Sequence, residues 1–141
     1  MLAREGLDGN PVMVEVDSAG TAEWHVGKPP DDRAVQAASR RGIDISACRA
    51  RRVGREDFFS FDYLLAMDRS NLEALEDIRP RRAQCRLGLF LDYAADIRNK
   101  DVPDPYYGGP QQFDYVLDLL EVGAGGLLTA LRDAHPEHFA A

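Results

Sequence analysis

Asp62-Tyr63-Leu64-Leu65-Ala66-Met67-Asp68-Arg69-Ser70-Asn71-Leu72 is the stretch that decides the fold. Five apolar or aromatic residues run from 63 to 67 between two aspartates. The run is too short for a core helix, and it does not alternate with polar residues. It reads as a strand buried on both faces, the pattern of a parallel sheet covered by helices. Asp68 then offers a capping carboxylate, and Leu72, Leu75 and Ile78 follow at spacings of three until Pro80 stops the helix. A strand that passes directly into a helix makes the chain an α/β protein with a mostly parallel sheet.

Working outward, the same alternation recurs. Residues 1–11 read as the last turns of a helix and its exit, with Leu2, Ala3 and Leu7 at helical spacing before Gly9-Asn10-Pro11. Val12-Met13-Val14-Glu15-Val16 is a strand by composition and alternation. It ends in the small, polar loop Asp17-Ser18-Ala19-Gly20-Thr21, where α/β proteins place their ligands. Trp24 follows, either as a core anchor or as the wall of a pocket. Asp31 caps a helix over residues 31–41 that Gly42 closes. A basic connector occupies residues 49–54, and residues 56–59 give one or two helical turns. Residues 87–91 form a third, weaker strand. Pro110 opens a last helix whose Phe113, Val116, Leu117, Leu120, Ala124, Leu127, Leu128 and Leu131 make one apolar stripe. Gly123, Gly125 and Gly126 weaken that helix, which implies a kink or close packing there.

The 141 residues are enough for one domain over residues 1–141 with a real core. A formal net charge of −7 argues against nucleic acid or an anionic membrane as partner. The basic residues are almost all Arg, and those clustered between 40 and 55 read as a salt-bridged face rather than a phosphate site. No segment has the length to span a bilayer, and Arg4, Glu5 and Asp8 interrupt any leader-like apolar run. Cys48 and Cys85 are too few for a disulfide framework, so a reducing cytoplasm is the expected compartment. His25 stands alone and His135 and His138 flank a proline, so no metal site is expected.

The chemistry-bearing stretch is Asp101-Val102-Pro103-Asp104-Pro105-Tyr106-Tyr107-Gly108-Gly109. Two prolines fence Asp104, fix φ on either side of it and bias the residues before them toward extended backbone. The carboxylate therefore rides on a stiff loop beside two aromatics. That suits a general acid over a flat ring, because proton donation depends first on geometry.

Taken together, these segments resemble the low-molecular-weight protein-tyrosine-phosphatases from about Val14 to Arg132. The resemblance is carried by Asp17-Ser18-Ala19-Gly20-Thr21, Trp24, Gly27-Lys28-Pro29-Pro30-Asp31, Arg33-Ala34, Gly42-Ile43, Arg49-Ala50-Arg51, Glu56-Asp57-Phe58, Phe61-Asp62-Tyr63, Met67-Asp68-Arg69-Ser70-Asn71-Leu72 and Asp104-Pro105-Tyr106-Tyr107-Gly108. It implies a three-layer sandwich with a small parallel sheet of order 2-1-3-4. It also implies hydrolysis of a phosphotyrosine protein or small aryl phosphate through a phosphocysteine, without metal or organic cofactor. Asp104 would be the general acid, and Trp24, Tyr106 and Tyr107 would line the crevice for the ring. Ser18 and Asp68 would support the phosphate loop. Tyr106 and Tyr107 would also be the places where the family can itself be phosphorylated.

One part of the family pattern is absent. The nucleophile loop, Cys-x-Gly-Asn-x-Cys-Arg-Ser, has no counterpart here, and the loop needs Arg six positions after the reacting Cys. Six after Cys48 stands Gly54, and six after Cys85 stands Leu91. Where this chain has Cys48 the family often has a His that steadies the loop. The expectation is a domain incomplete at its N-terminus, with the central first strand and most of the first helix missing. Strands 12–16 and 62–67 would then lack their shared neighbour. As written, the chain is expected to be inactive. Two alternatives stand beside the enzyme reading. One is a pseudophosphatase that keeps the aromatic crevice without turnover. The other is an arsenate reductase on the related scaffold, ranked last because Cys48 and Cys85 lie far apart in sequence.

Overall fold

The computed structural model describes residues 14–138. Helix α1 (Asp32–Arg40) begins and ends as its sequence dictates. The Asp31 carboxylate accepts the Arg33 amide at 2.9 Å. At the other end Gly42, at φ 77°, donates to Ser39 O while Ile43 donates to Ala38 O, both at 3.0 Å. Together these two bonds make a Schellman ending, which needs a left-handed residue at the glycine. Helix α2 (Asp57–Ser60) is one turn that buries Phe58.

Strand β1 (Tyr63–Ala66) pairs in parallel with β2 (Arg86–Leu89), with Tyr63 opposite Arg86 and Ala66 opposite Leu89. Between them α3 (Arg69–Ile78) makes the crossover; its N-cap Asp68 accepts the Asn71 amide at 2.8 Å. Strand β2 stops at Leu89, and Phe90–Tyr93 coil into a 3-10 turn rather than continuing the strand as the sequence suggests. The Asp92 carboxylate draws the chain back there by accepting the Leu89 amide at 3.4 Å. Helix α4 (Pro110–Ala134) then runs for 25 residues.

The sheet carries a core on each face. On one side Leu64, Ala66 and Leu89 pack with Phe58, Leu75, Ala83 and Cys85. On the other, Leu65 joins Phe90, Leu91, Ala94, Val102 and Leu119. Helices α2 and α3 cover the first face and α4 the second, giving the three-layer α/β arrangement that the doubly buried β1 anticipates. No helix among the described residues is long and apolar enough to cross a membrane.

Beside the early end of β2, two further expectations need correction, while the helix read over residues 1–11, with Val12 and Met13, lies outside the described residues. Residues 14–16, expected as strand, form none; this part of the chain meets its neighbour through a single parallel bridge, Gly20 to Arg52. Strand propensity is realised only where a second strand supplies the ladder, and among the described residues β1 pairs with β2 alone. Of the family order 2-1-3-4, the described residues therefore display the parallel pair corresponding to strands 3 and 4. The third correction concerns α4: Leu119 is buried although it lies outside the expected stripe, and Ala124 within it is exposed. The helix packs against both α1 and the Phe90–Tyr93 turn, so its apolar face is broader than one stripe.

The glycines of α4 serve close approach. A Cβ at Gly123 would collide with the Phe90 ring, and one at Gly126 with the Tyr93 carbonyl, whereas Gly125 faces open space.

Candidate functional site

At the C-terminal end of β1 three loops converge, and a web of backbone and side-chain bonds explains why. The Val102 amide donates to Met67 O at 2.7 Å, docking the 101–104 segment on the strand's end. One residue earlier, the Asp101 carboxylate accepts the Arg69 amide at 3.0 Å, occupying one of the unsatisfied donors of the first turn of α3. Thr21 Oγ1 donates to Asn71 Oδ1 at 3.3 Å, joining the 17–21 loop to the same helix start. Asp68 holds that helix start by capping, and the side-chain bond from the 17–21 loop to it runs through Thr21 and Asn71.

Asp104 sits where its two prolines aim it. Pro105–Tyr107 form a short 3-10 turn for which Asp104 is the N-cap, Oδ1 accepting the Tyr106 amide at 3.0 Å. The side chain is exposed. One carboxyl oxygen is thus tied to the backbone by the Tyr106 amide. Tyr106 is 58% exposed beside it.

Trp24 is not a core anchor: it stands 74% exposed on a turn that ends at Gly27, φ 80°. That turn is pinned to the basic connector, with Gly27 donating to Ala50 O at 2.7 Å and Ala50 to Lys28 O at 3.0 Å. An indole presented on a fixed turn is an open aromatic wall. The turn and the acid loop are both anchored, although by different partners.

The basic cluster proves to be an ion-paired face. Arg51 reaches Asp57 through two bonds of 3.0 and 3.1 Å and Asp17 at 3.1 Å, so it ties the 17–21 loop to α2. The Asp57 carboxyl is held below its ordinary range first by those Arg51 bonds, with partial burial opposing and the Gly54 amide assisting. Arg52 pairs with Glu23. Arg41 bridges from α1 to Asp118 and Glu121 of α4.

A largely apolar cavity of about 370 Å³ lies between α1, α4 and the 43–50 loop, bordered by Ser18, Cys48, Pro105 and Phe113 among others. Of the residues expected at the site, Ser18 borders it, whereas Trp24, Asp68, Asp104 and Tyr106 do not, although Pro105 between the last two does. Cys48 is half-buried at its edge, and the adjacent Arg49 donates to Ser46 O and Cys48 O at 2.9 and 2.7 Å. That guanidinium is turned onto its own loop, not toward an anion.

Sequence reasoning passed over Arg33 and Asp101. Arg33 stands two residues after the N-cap Asp31, and Asp101 two before Pro103, the first of the prolines that fence Asp104. In both cases the signal, a charged residue at the edge of a rigid turn, was present without a partner to give it meaning.

These features have counterparts in known proteins. A family model described as low molecular weight phosphotyrosine protein phosphatase matches residues 1–137. The low molecular weight protein-tyrosine-phosphatase YfkJ of Bacillus subtilis (strain 168) is 35% identical over 132 residues, covering 94% of this chain and 81% of that protein. Among solved structures, a protein tyrosine phosphatase from Entamoeba histolytica superposes with a TM-score of 0.79 at 36% identity, covering 84% of this chain and 75% of the other. A low molecular weight phosphotyrosine phosphatase from Vibrio cholerae O395 gives 0.78 at 35% identity, with 86% and 78% covered. With the family model matching nearly the whole chain and relatives of this identity, the chain belongs to the low molecular weight phosphotyrosine protein phosphatase family.

Proposed function

We propose that this chain carries the proton-donating and ring-binding part of a phosphotyrosine phosphatase site, with Asp104 as general acid. The observation that carries the reading is the Asp104 turn. A carboxylate fenced by two prolines is held at Oδ1 by the Tyr106 amide and docked through Val102 on the end of a parallel strand. In the proposed reaction a cysteine thiolate attacks phosphorus and the bond from phosphorus to the phenolic oxygen breaks. Asp104 Oδ2 protonates the departing phenolate. Water then cleaves the S–P bond, its proton passing to the Asp104 carboxylate, and inorganic phosphate leaves.

Trp24 and Tyr106 are the aromatic walls in this reading, with Tyr107 assigned beside them. Ser18 and Asp68 steady the loop that cradles the phosphate. The substrate class is a phosphotyrosine protein or small aryl phosphate. Neither metal nor organic cofactor takes part in this reading, the net charge of −7 argues against nucleic acid as partner, and the unpaired Cys48 and Cys85 suit a cytoplasmic setting.

The thiolate itself is the part this sequence does not supply, because neither cysteine is followed by Arg at the sixth position. In this reading the thiolate belongs to a loop of the form Cys-x-Gly-Asn-x-Cys-Arg-Ser. The test is to read the DNA ahead of the Met1 codon, express the extended product and assay it on aryl phosphates. An in-frame loop and turnover that falls on Asp104→Asn support the enzyme. Stop codons in that frame favour the pseudophosphatase instead.

A further inference from the structure

Arg33 makes more contacts with the acid turn than any support described so far. From the first turn of α1 its guanidinium donates from Nη2 to Tyr106 O at 3.0 Å and from Nη1 to Gly108 O at 3.1 Å. Its remaining edge is held by the N-cap carboxylate, Nε to Asp31 Oδ1 at 3.1 Å and Nη2 to Asp31 Oδ2 at 2.9 Å. The same group stacks 4.8 Å from the Phe113 ring centroid and 5.8 Å from that of Tyr106. One rigid fork therefore joins the start of α1, the backbone on both sides of Tyr107, and the first turn of α4.

We propose that Arg33 is the positioning residue of the acid turn, setting where Asp104 Oδ2 and the Tyr106 ring stand relative to a bound aryl group. The two carbonyls it grips follow Asp104 by two and four residues. Prolines stiffen the turn internally, but stiffness does not fix orientation against the rest of the fold; that requires bonds to another element. On the N-terminal side the turn has Val102 on Met67. On the C-terminal side the Arg33 fork makes the tie to α1. A planar, five-donor cation can hold two carbonyls and a carboxylate at once, which an ammonium cannot. The guanidinium also lies against the Tyr106 ring, so its loss removes a contact from that side chain as well.

The hold on the turn is read without turnover, while its catalytic consequence rests on the phosphatase reading above. In the 141-residue chain, Arg33→Met should speed amide exchange of Tyr106 and Gly108 by about tenfold, the loss of roughly one net hydrogen bond. The Asn71 amide, held by Asp68, should keep its rate. Unchanged rates at Tyr106 and Gly108 would overturn the proposal. Should Arg33→Met unfold the chain, Arg33→Lys decides: it keeps the stem on Phe113 and the charge but not the fork. Protection at both amides equal to wild type would then count against the fork. In a phosphatase-active extended product, Arg33→Met should lower kcat more for phenyl phosphate than for an aryl phosphate with an acidic leaving group. A kcat loss independent of the leaving group would remove Arg33 from acid positioning. Absence of turnover in the extended wild type would instead count against the phosphatase reading, leaving the exchange rates to judge the hold.

Discussion

The Val102 amide donates to the Met67 carbonyl at 2.7 Å, so the chain thirty-five positions after Met67 is sewn to the residue that follows β1. Val102 is itself 8% exposed, buried with Leu91 and Leu119. Asp104, two residues later, is therefore carried by the second core cluster and not by a free loop. This arrangement accounts for a carboxylate that is exposed and yet placed. It also gives the first prediction its form.

In an extended, active product, Asp104→Asn should lower kcat on phenyl phosphate by about 10²- to 10⁴-fold, the usual contribution of general acid catalysis. The same substitution should matter less when the leaving group is acidic enough to depart unprotonated. A rate series over leaving groups checks this, and a loss below tenfold for phenyl phosphate would move the acid elsewhere.

The aromatic walls should act differently. Trp24 is 74% and Tyr106 58% exposed, so replacing either with Ala should leave thermal stability nearly unchanged. A wall touches the ring in ground and transition states alike, and its loss is expected in KM more than in kcat. An unchanged KM for both variants would take them out of the crevice.

How much of this was legible in the sequence depends on how local each feature is. The ends of α1 were readable because Asp31 and Gly42 act within their own turn. Asp68 was readable for the same reason. Residues 14–16 were not, since a strand exists only through a distant partner, and neither was the return of the chain at Asp92, a bond of side chain to backbone. Leu119 was missed because helical periodicity shows one face, while α4 packs against two neighbours. Arg33 illustrates the limit at the site: its sequence neighbours explain the Asp31 pair, but its partners at 106, 108 and 113 follow from the fold.

Two adjacent glycines with opposite surroundings, Gly125 and Gly126, give a stability test in α4. Gly126→Ala should destabilise the domain by about 1–3 kcal/mol, because its methyl would enter the Tyr93 carbonyl and backbone has little room to yield. Gly125→Ala meets nothing and should stabilise by about 1 kcal/mol through helix propensity. Chemical denaturation of both variants measures the difference; equal effects of the same sign would show that the approach of the 90–93 turn to α4 is looser than described.

Stability should also fall in acid through Asp57. Its carboxyl lies below the ordinary value of 3.8, chiefly through the Arg51 bonds, so the folded state binds that proton more weakly than the unfolded chain. Its contribution is therefore complete above about pH 4 and is lost as pH falls through the folded value. Asp31, hydrogen-bonded by Arg33, and Asp44, by Ser46, are lowered too and add the same sign. Thermal unfolding followed from pH 6 downward should show a decline that Asp57→Asn makes shallower. A parallel decline in the variant would remove Asp57 from the acid response.

The last prediction concerns Cys48 in the 141-residue chain. A thiolate nucleophile for a phosphate ester needs an anion cradle beside it, built from amides and an Arg that faces the same phosphorus. At Cys48 the sixth following residue is Gly54, and Arg49 donates to Ser46 O and Cys48 O instead of facing outward. Arg51 is taken by Asp57 and Asp17, and Arg52 by Glu23. The thiol borders a largely apolar cavity, where a phosphate dianion would lose its hydration without replacement. Aryl phosphate turnover by the 141-residue chain should therefore stay at the uncatalysed rate, and Cys48→Ser should not change it. Turnover that disappears on Cys48→Ser would mean that the 48–54 loop rearranges to form the cradle, and the thiolate would then belong to Cys48.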